Sequence, residues 1–352
     1  MRQSTKVLQV AFTYVGTIVG AGFATGQEIL QFFTEYGKWA TLTILLSCLL
    51  FVWLGTKMML VAHDTGANSY EDLNSHLFGK KAGKWISFFT LFVLIGVNSV
   101  ILAGAGSVFM EHLHLSYQTG LLITLVGTYL LLGRGIHAIL QMNSIVVPLM
   151  MTLSLFILFH TAGHPGAANF VRLETDHSMF ATWLSPILYS SFNLAMAQAI
   201  LVPLGSQITD RRVIKYGGIL GGIGIGFMLM TAHFAMSAYM PGIVQFEVPM
   251  GSIAFALGAA IQLMYIFLIF MEIFSTFVAD IYGITLQVRE HLKVSPKLIT
   301  LFIMLSCFLL SQFGFSSLLS ILYPIYGMLA VIWVTHLIKS PLGSFRDKRK
   351  NE

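Results

Sequence analysis

Long apolar runs separated by short polar segments dominate the chain from residue 7 to residue 338. A helix crossing a hydrocarbon core of roughly 30 Å needs about 20 mostly apolar residues. Ten segments meet that need: 7–35, 39–62, 84–111, 118–133, 136–160, 180–205, 212–238, 251–287, 297–313 and 317–338. Two of them are interrupted. The first contains "IVGAGFATGQE" (18–28), in which Gly20, Gly22 and Gly26 loosen the backbone, Thr25 and Gln27 are polar, and Glu28 brings a carboxylate. Glycine costs roughly 1 kcal/mol in a helix interior relative to alanine, and an ionisable group at membrane depth costs more. The sixth reads "ATWLSPILYSSFNLAMAQAILVPLG" (181–205), with Pro186 early and "YSSFN" (189–193) in the middle. Ser190, Ser191 and Asn193 offer the backbone competing hydrogen bonds, which predicts a second weak point. Glycines also serve close packing, as "GGILGGIGIGF" (217–227) in the seventh segment shows. Two interruptions in corresponding places argue for something more.

They correspond because of how the polar stretches fall. "HDTGANSYEDLNSHLFGKK" (63–81) lies between the second and third segments, and "TAGHPGAANFVRLETDHSM" (161–179) separates five spans from five. Five is odd, so the second half enters the membrane in the opposite sense, an inverted repeat of the kind secondary transporters use. The expected division is a first repeat over 1–162, an external loop over 163–179, a second repeat over 180–340 and a basic tail over 341–352. The first segment is not a cleaved signal, because glycines interrupt it and another span follows at once.

Composition fixes the class. Apolar residues make up 56% of the 352 and charged residues only 10%, against about 25% in a soluble domain. With the N-terminus in the cytoplasm and ten spans threaded, Arg2, Lys6, Lys57, Lys80, Lys81, Lys84, Arg134, Arg211, Arg212, Lys215, Arg289, Lys293, Lys297, Lys339, Arg346, Lys348, Arg349 and Lys350 are cytoplasmic. Only Lys38 and Arg172 are external, so 18 cations face 2, the asymmetry of the positive-inside rule. Location therefore explains the net charge of +5, and nucleic acid is not an expected partner. Both termini are therefore expected to face the cytoplasm. Cys48 and Cys307 lie in apolar spans and read as small hydrophobes, without disulfide or metal spacing.

"GTIVGAGFATGQE" resembles the unwound first helix of the LeuT-type fold, shared by neurotransmitter:sodium symporters and the amino acid–polyamine–organocation superfamily. Short ten-span bacterial members of that superfamily carry "GAGFATGQE" near the N-terminus, and the resemblance covers nearly the whole chain. It implies an all-α membrane protein of ten helices in a five-plus-five inverted repeat, with helices one and six broken. A broken helix offers free N–H groups to an anionic group and free carbonyls to a small cation. The expected solute contacts are Gly20, Ala21, Gly22, Phe23, Ala24, Thr25 and Gly26 in span one and Ser190, Ser191, Phe192 and Asn193 in span six. Asn98 in span three is a further candidate, with an interhelical hydrogen bond as the alternative.

Span eight contains "MEIFSTFVADIYG" (271–283), where Glu272, Ser275, Thr276, Ala279, Asp280 and Gly283 share one helical face. In the resembled fold a sodium ion lies between spans one and eight. Carried over, its ligands are the carbonyls of Gly16, Val19 and Glu272 and the hydroxyls of Ser275 and Thr276, an all-oxygen set suited to a hard cation. The alternative is that the two hydroxyls bond back to preceding carbonyls. Glu28 and Glu272 are intramembrane carboxylates and candidate proton carriers, and Asp280 is expected to line the inner vestibule. The expected protein is a cation-coupled carrier of a small zwitterionic solute such as an amino acid, not an enzyme, with sodium as coupling ion and no cofactor. Proton coupling, a membrane-embedded enzyme and a ligand-binding sensor remain open alternatives, as does the oligomeric state.

Overall fold

In hydrocarbon each backbone N–H and C=O must find its partner within the protein, which favours helices. The computed structural model describes residues 3–132, 137–291 and 294–342, and the described residues form helices without strands. Arg2, Arg134, Lys293 and the basic tail from residue 343, used in the charge comparison, lie outside the described residues.

The first segment folds as three helices end to end: α1 (Gln3–Ile18), α2 (Ala21–Thr25) and α3 (Gln27–Phe32). The second begins with a tight turn of 3-10 helix and continues as α4 (Ala40–Leu50), a π-helical stretch over Phe51–Gly55, and α5 (Thr56–Thr65). A short α6 (Tyr70–Phe78) precedes the long α7 (Lys80–His112), followed by α8 (Tyr117–Leu132) and α9 (His137–Ala162). The external loop holds α10 (Asn169–Arg172). Then come α11 (Met179–Gln207), α12 (Arg211–Ala238), the short α13 (Pro249–Phe255), α14 (Ala259–His291), α15 (Pro296–Ser311) and α16 (Phe315–Lys339). Six of these stretches are long and apolar enough to span a bilayer, among them α7, α11, α12 and α16.

Two expectations need correction. The sixth span is not broken: α11 runs without interruption through residues 189–193. No glycine lies between Met179 and Leu204, and Asn193 spends its amide on the Tyr189 carbonyl one turn back, at 3.0 Å. Its polar side chain is thus satisfied inside the helix. The eighth span does not start at residue 251. Residues 249–255 form the separate α13, and the chain turns at Gly258 (φ 106°) before α14 begins.

Packing relates the two halves. α1 lies along α12, while α11 lies along α4 and α5; α7 packs on α16, and α14 on α9; α7 pairs with α8, and α14 with α15. Each pairing recurs five spans later, as an internal two-fold requires. The contact of α12 with spans one and two is very close. A Cβ at Gly221 would lie 2.7 Å from a Tyr14 ring carbon, and one at Gly222 would lie 2.6 Å from the backbone nitrogen of Val52. Small residues allow such approach where no solvent effect drives helices together. At the same junction the Tyr14 hydroxyl donates to the Phe51 carbonyl at 2.8 Å, at the start of the π stretch, where the wider turn leaves carbonyls without their usual partners.

The variant Gly222→Val must push α12 off the π stretch. Overpacking of this kind costs about 1–3 kcal/mol, so thermal unfolding in detergent is expected at a lower temperature than for the unaltered protein.

Candidate functional site

The site begins with the backbone between α1 and α2. Gly20 is extended (φ −97°, ψ −166°), and its N–H donates to the carbonyl of Ile18 at 2.9 Å instead of continuing the helix. The Gly16 carbonyl, which that N–H would meet in an unbroken helix, accepts no backbone hydrogen bond; nor do those of Thr17 and Val19. Beyond the break, Ala24 donates to the Gly20 carbonyl, whereas Ala21, Gly22 and Phe23 have no backbone acceptor. A second joint follows at Gly26, whose left-handed φ of 88° no L side chain adopts readily. Thr25 straddles it, donating from Oγ1 to the Gly22 carbonyl and accepting at 3.4 Å from the Gln27 N–H.

Folding the chain back at Gly26 brings the Glu28 carboxylate against Gly22, where a Cβ would fall 2.1 Å from Glu28 Oε1. Glu28 is 4% exposed and its Oε2 has no hydrogen-bond partner. The hydroxyls of Tyr189 on α11 and Tyr323 on α16 face it. Aromatic rings close around this group: Tyr189 touches Phe32 and Phe33 at 5.4 and 5.0 Å, and Phe192 lies 4.3 Å from Tyr323. Phe32 also lines an open pocket of about 340 Å³ with Gln31, Tyr36, Leu188 and Ser320. α3 is tied to α16 by Gln27, whose Nε2 donates to Ser316 Oγ at 3.0 Å.

α14 forms the opposite wall and contacts α2. Glu272 is fully buried, and neither carboxylate oxygen has a hydrogen-bond partner. Ser275 donates to the Glu272 carbonyl at 3.2 Å, so for this hydroxyl the alternative reading, a bond back to a preceding carbonyl, is the one formed. Thr276 follows one residue on and is partly exposed. Asn98 on α7 is buried and donates to the Leu94 carbonyl at 2.8 Å and to Asp280 Oδ2 at 3.2 Å. Of its two sequence readings, the interhelical bond is the one formed.

The named residues fall on segments several of which contact one another: α1 on α11, α2 on α3 and α14, and α3 on α11. Gly20 to Gly26, Ser190, Ser191, Phe192 and Asn193 belong to the segments that enclose Glu28. Ser190 is fully buried with an unpartnered hydroxyl. Gly16, Val19, Glu272, Ser275 and Thr276 lie on α1, at its end, and on α14, the helix that contacts α2. Sequence reasoning missed Tyr189 and Tyr323. A tyrosine in an apolar span gives no local sign of its partner, although Tyr189 sat within the quoted "YSSFN". Among the described residues no group of three or more His, Cys, Asp or Glu side chains could hold a metal ion; the oxygens at the break are backbone and hydroxyl.

No family model matches the sequence. The uncharacterized membrane protein YkvI of Bacillus subtilis (strain 168) is 36% identical over 337 residues, 94% of this chain and 94% of that protein. Among solved structures, MhsT in complex with L-phenylalanine superposes with a TM-score of 0.69 at 16% identity, covering 93% of this chain and 87% of that one. The manganese transporter of Eremococcus coleocola, in complex with an aromatic bis-isothiourea compound, gives a TM-score of 0.58 at 15% identity, covering 96% and 80%. The fold is the LeuT type.

The two joints predict opposite responses to alanine. At Gly20 a Cβ meets nothing within 4 Å, so Gly20→Ala should leave the melting temperature unchanged or raise it slightly. At Gly26 a Cβ falls 2.6 Å from Met250 and the backbone is left-handed, so Gly26→Ala should destabilise by about 1–3 kcal/mol. Thermal unfolding in detergent compares the two.

Proposed function

The chain belongs to the family of the Bacillus subtilis membrane protein YkvI, and within its LeuT-type fold we propose that it is a cation-coupled secondary transporter. Its solute is small and zwitterionic, an amino acid, and it moves by alternating access. One observation carries this reading. At Gly20 the first span leaves the carbonyls of Gly16 and Val19 free on one side and the N–H groups of Ala21 to Phe23 free on the other. A buried carboxylate, Glu28, stands beside them. Free carbonyls suit a small cation, free N–H groups suit a carboxylate, and a buried acid suits an ammonium group. A zwitterion presents both charges at the spacing of one residue. The likeness to MhsT, solved with L-phenylalanine, supports the amino acid; the likeness to a manganese transporter shows why the fold alone cannot choose.

Sodium is the proposed coupling ion, held by the carbonyls of Gly16, Val19 and Glu272 and the hydroxyls of Ser275 and Thr276. The free carbonyls at the end of α1 support it. Spans one and six, with their partners, rock against a scaffold built on spans three and eight, and sodium favours the outward-open form. Span six contributes through side chains, those of Ser190, Ser191, Phe192 and Asn193, since its helix stays closed. A proton-coupled reading is favoured by one observation, the buried Glu272 carboxylate whose two oxygens lack partners. A buried acid of this kind takes up a proton or a cation.

Uptake of a labelled amino-acid panel into proteoliposomes, with and without a sodium gradient, tests the proposal. Accumulation that requires sodium is expected for at least one amino acid. Gly20→Ala, although stable, should abolish uptake, because its methyl group occupies the space the solute needs. Sodium should raise the melting temperature more than potassium does, and Thr276→Ala should remove that difference. Uptake that ignores sodium and follows a pH gradient moves the coupling to Glu272; no uptake of any amino acid contradicts the solute class.

A further inference from the structure

Far from the break, α7 begins with three exposed lysines, Lys80, Lys81 and Lys84, on the side that the positive-inside rule assigns to the cytoplasm. Lys81, Lys84, Trp85, Phe88 and Phe92 follow helical spacing and form one outward stripe. Trp85 is 74% exposed, Phe88 52% and Phe92 57%. The rings make a ladder, edge to face: Trp85 to Phe88 at 6.4 Å and Phe88 to Phe92 at 5.2 Å. Beside the stripe is an open pocket of about 540 Å³, lined by Glu71, Lys81, Lys84, Trp85, Ser87 and Phe88, with Leu91 at its apolar end.

The pocket has a fixed wall. Asn74 on α6 is fully buried; it donates to Ser87 Oγ at 3.1 Å and accepts from Trp333 Nε1 at 2.8 Å. These bonds hold α6 between α7 and α16. Among the described residues, neither Lys81 nor Lys84 enters an ion pair. The lining therefore carries two cations and one carboxylate, a net charge of +1 above an aromatic slot that runs into the bilayer.

We propose that this pocket binds one anionic glycerophospholipid of the phosphatidylglycerol type. Its phosphodiester lies between Lys81 and Lys84, a headgroup hydroxyl donates to Glu71, and an acyl chain follows Trp85, Phe88 and Phe92. The single negative charge of such a lipid matches the lining, whereas phosphatidylethanolamine, neutral overall, would leave it uncompensated. Basic pockets at the cytoplasmic surface recognise headgroups in this way, and aromatic side chains favour the interface. A free phosphate would occupy the lysines and leave the aromatic slot uncovered. The proposal does not depend on transport and can fail or hold separately from it.

The test uses the full chain, purified and delipidated in detergent, with phospholipids carrying brominated acyl chains as quenchers of tryptophan fluorescence. Brominated phosphatidylglycerol is expected to quench the Trp85 emission, defined by difference from Trp85→Phe, at far lower mole fraction than brominated phosphatidylcholine or phosphatidylethanolamine. Each lysine near an anionic lipid is worth about a factor of five. The double variant Lys81→Gln/Lys84→Gln should therefore need roughly 25-fold more phosphatidylglycerol, while Lys81→Arg/Lys84→Arg restores the response. Inorganic phosphate should not compete. Equal quenching by all three lipids, no response to the glutamine substitutions, or displacement by inorganic phosphate would each overturn the proposal. The arginine variant and the unaltered chain decide the matter even if the glutamine variant fails to fold.

Discussion

A backbone polar group without a partner in hydrocarbon costs several kcal/mol, and the protein leaves a cluster of them at one place. Between Ile18 and Ala24 the first span releases carbonyls in one direction and N–H groups in the other. Such a gap persists only where it is enclosed by protein or filled by something polar. Much of the surrounding structure serves enclosure. Glycines on α12 let that helix press against α1; Gln27 ties α3 to α16; Tyr189 and Tyr323 cover Glu28 from two other helices. The gap is open locally and walled at a distance.

The two halves resolve the same requirement differently. Span one breaks at glycine, which leaves backbone carbonyls and N–H groups without helical partners. Span six remains helical and supplies side chains: Tyr189 toward Glu28, Ser190 with an unpartnered hydroxyl, and Phe192 against Tyr323. An internal two-fold in the packing therefore coexists with a chemically one-sided site. Tyr323 lies close enough to feel both Glu28 and Asp280, and Asp280 accepts from Asn98 on α7. That chain of contacts links the interrupted first span with α16, α14 and α7.

How much of this the sequence displayed depends on whether the signal was local. Span positions followed from apolar length alone, and α7, α11, α12 and α16 differ from their expected ranges by a few residues at their ends. The break at Gly20 was legible because glycine marks it in the chain. Span six misled because serine and asparagine can weaken a helix or be absorbed by it, and Asn193 shows absorption. Pro249–Phe255 merged with span eight because both are apolar; only Gly258 marked the turn. The π stretch at Phe51–Gly55 gave no sign, and the tyrosine hydroxyl that bonds its first carbonyl comes from another span. Glu28 was found as a lone acid, while the tyrosines that cover it are known only from the fold.

Amide hydrogen exchange, followed residue by residue in the purified protein, decides whether span one is open while span six is closed. The expected result is fast exchange at Ala21, Gly22 and Phe23, slowed by the proposed solute, with Tyr189 to Asn193 protected throughout. Equal, strong protection of both stretches in the absence of solute would contradict the open break, and with it the basis for a binding site there.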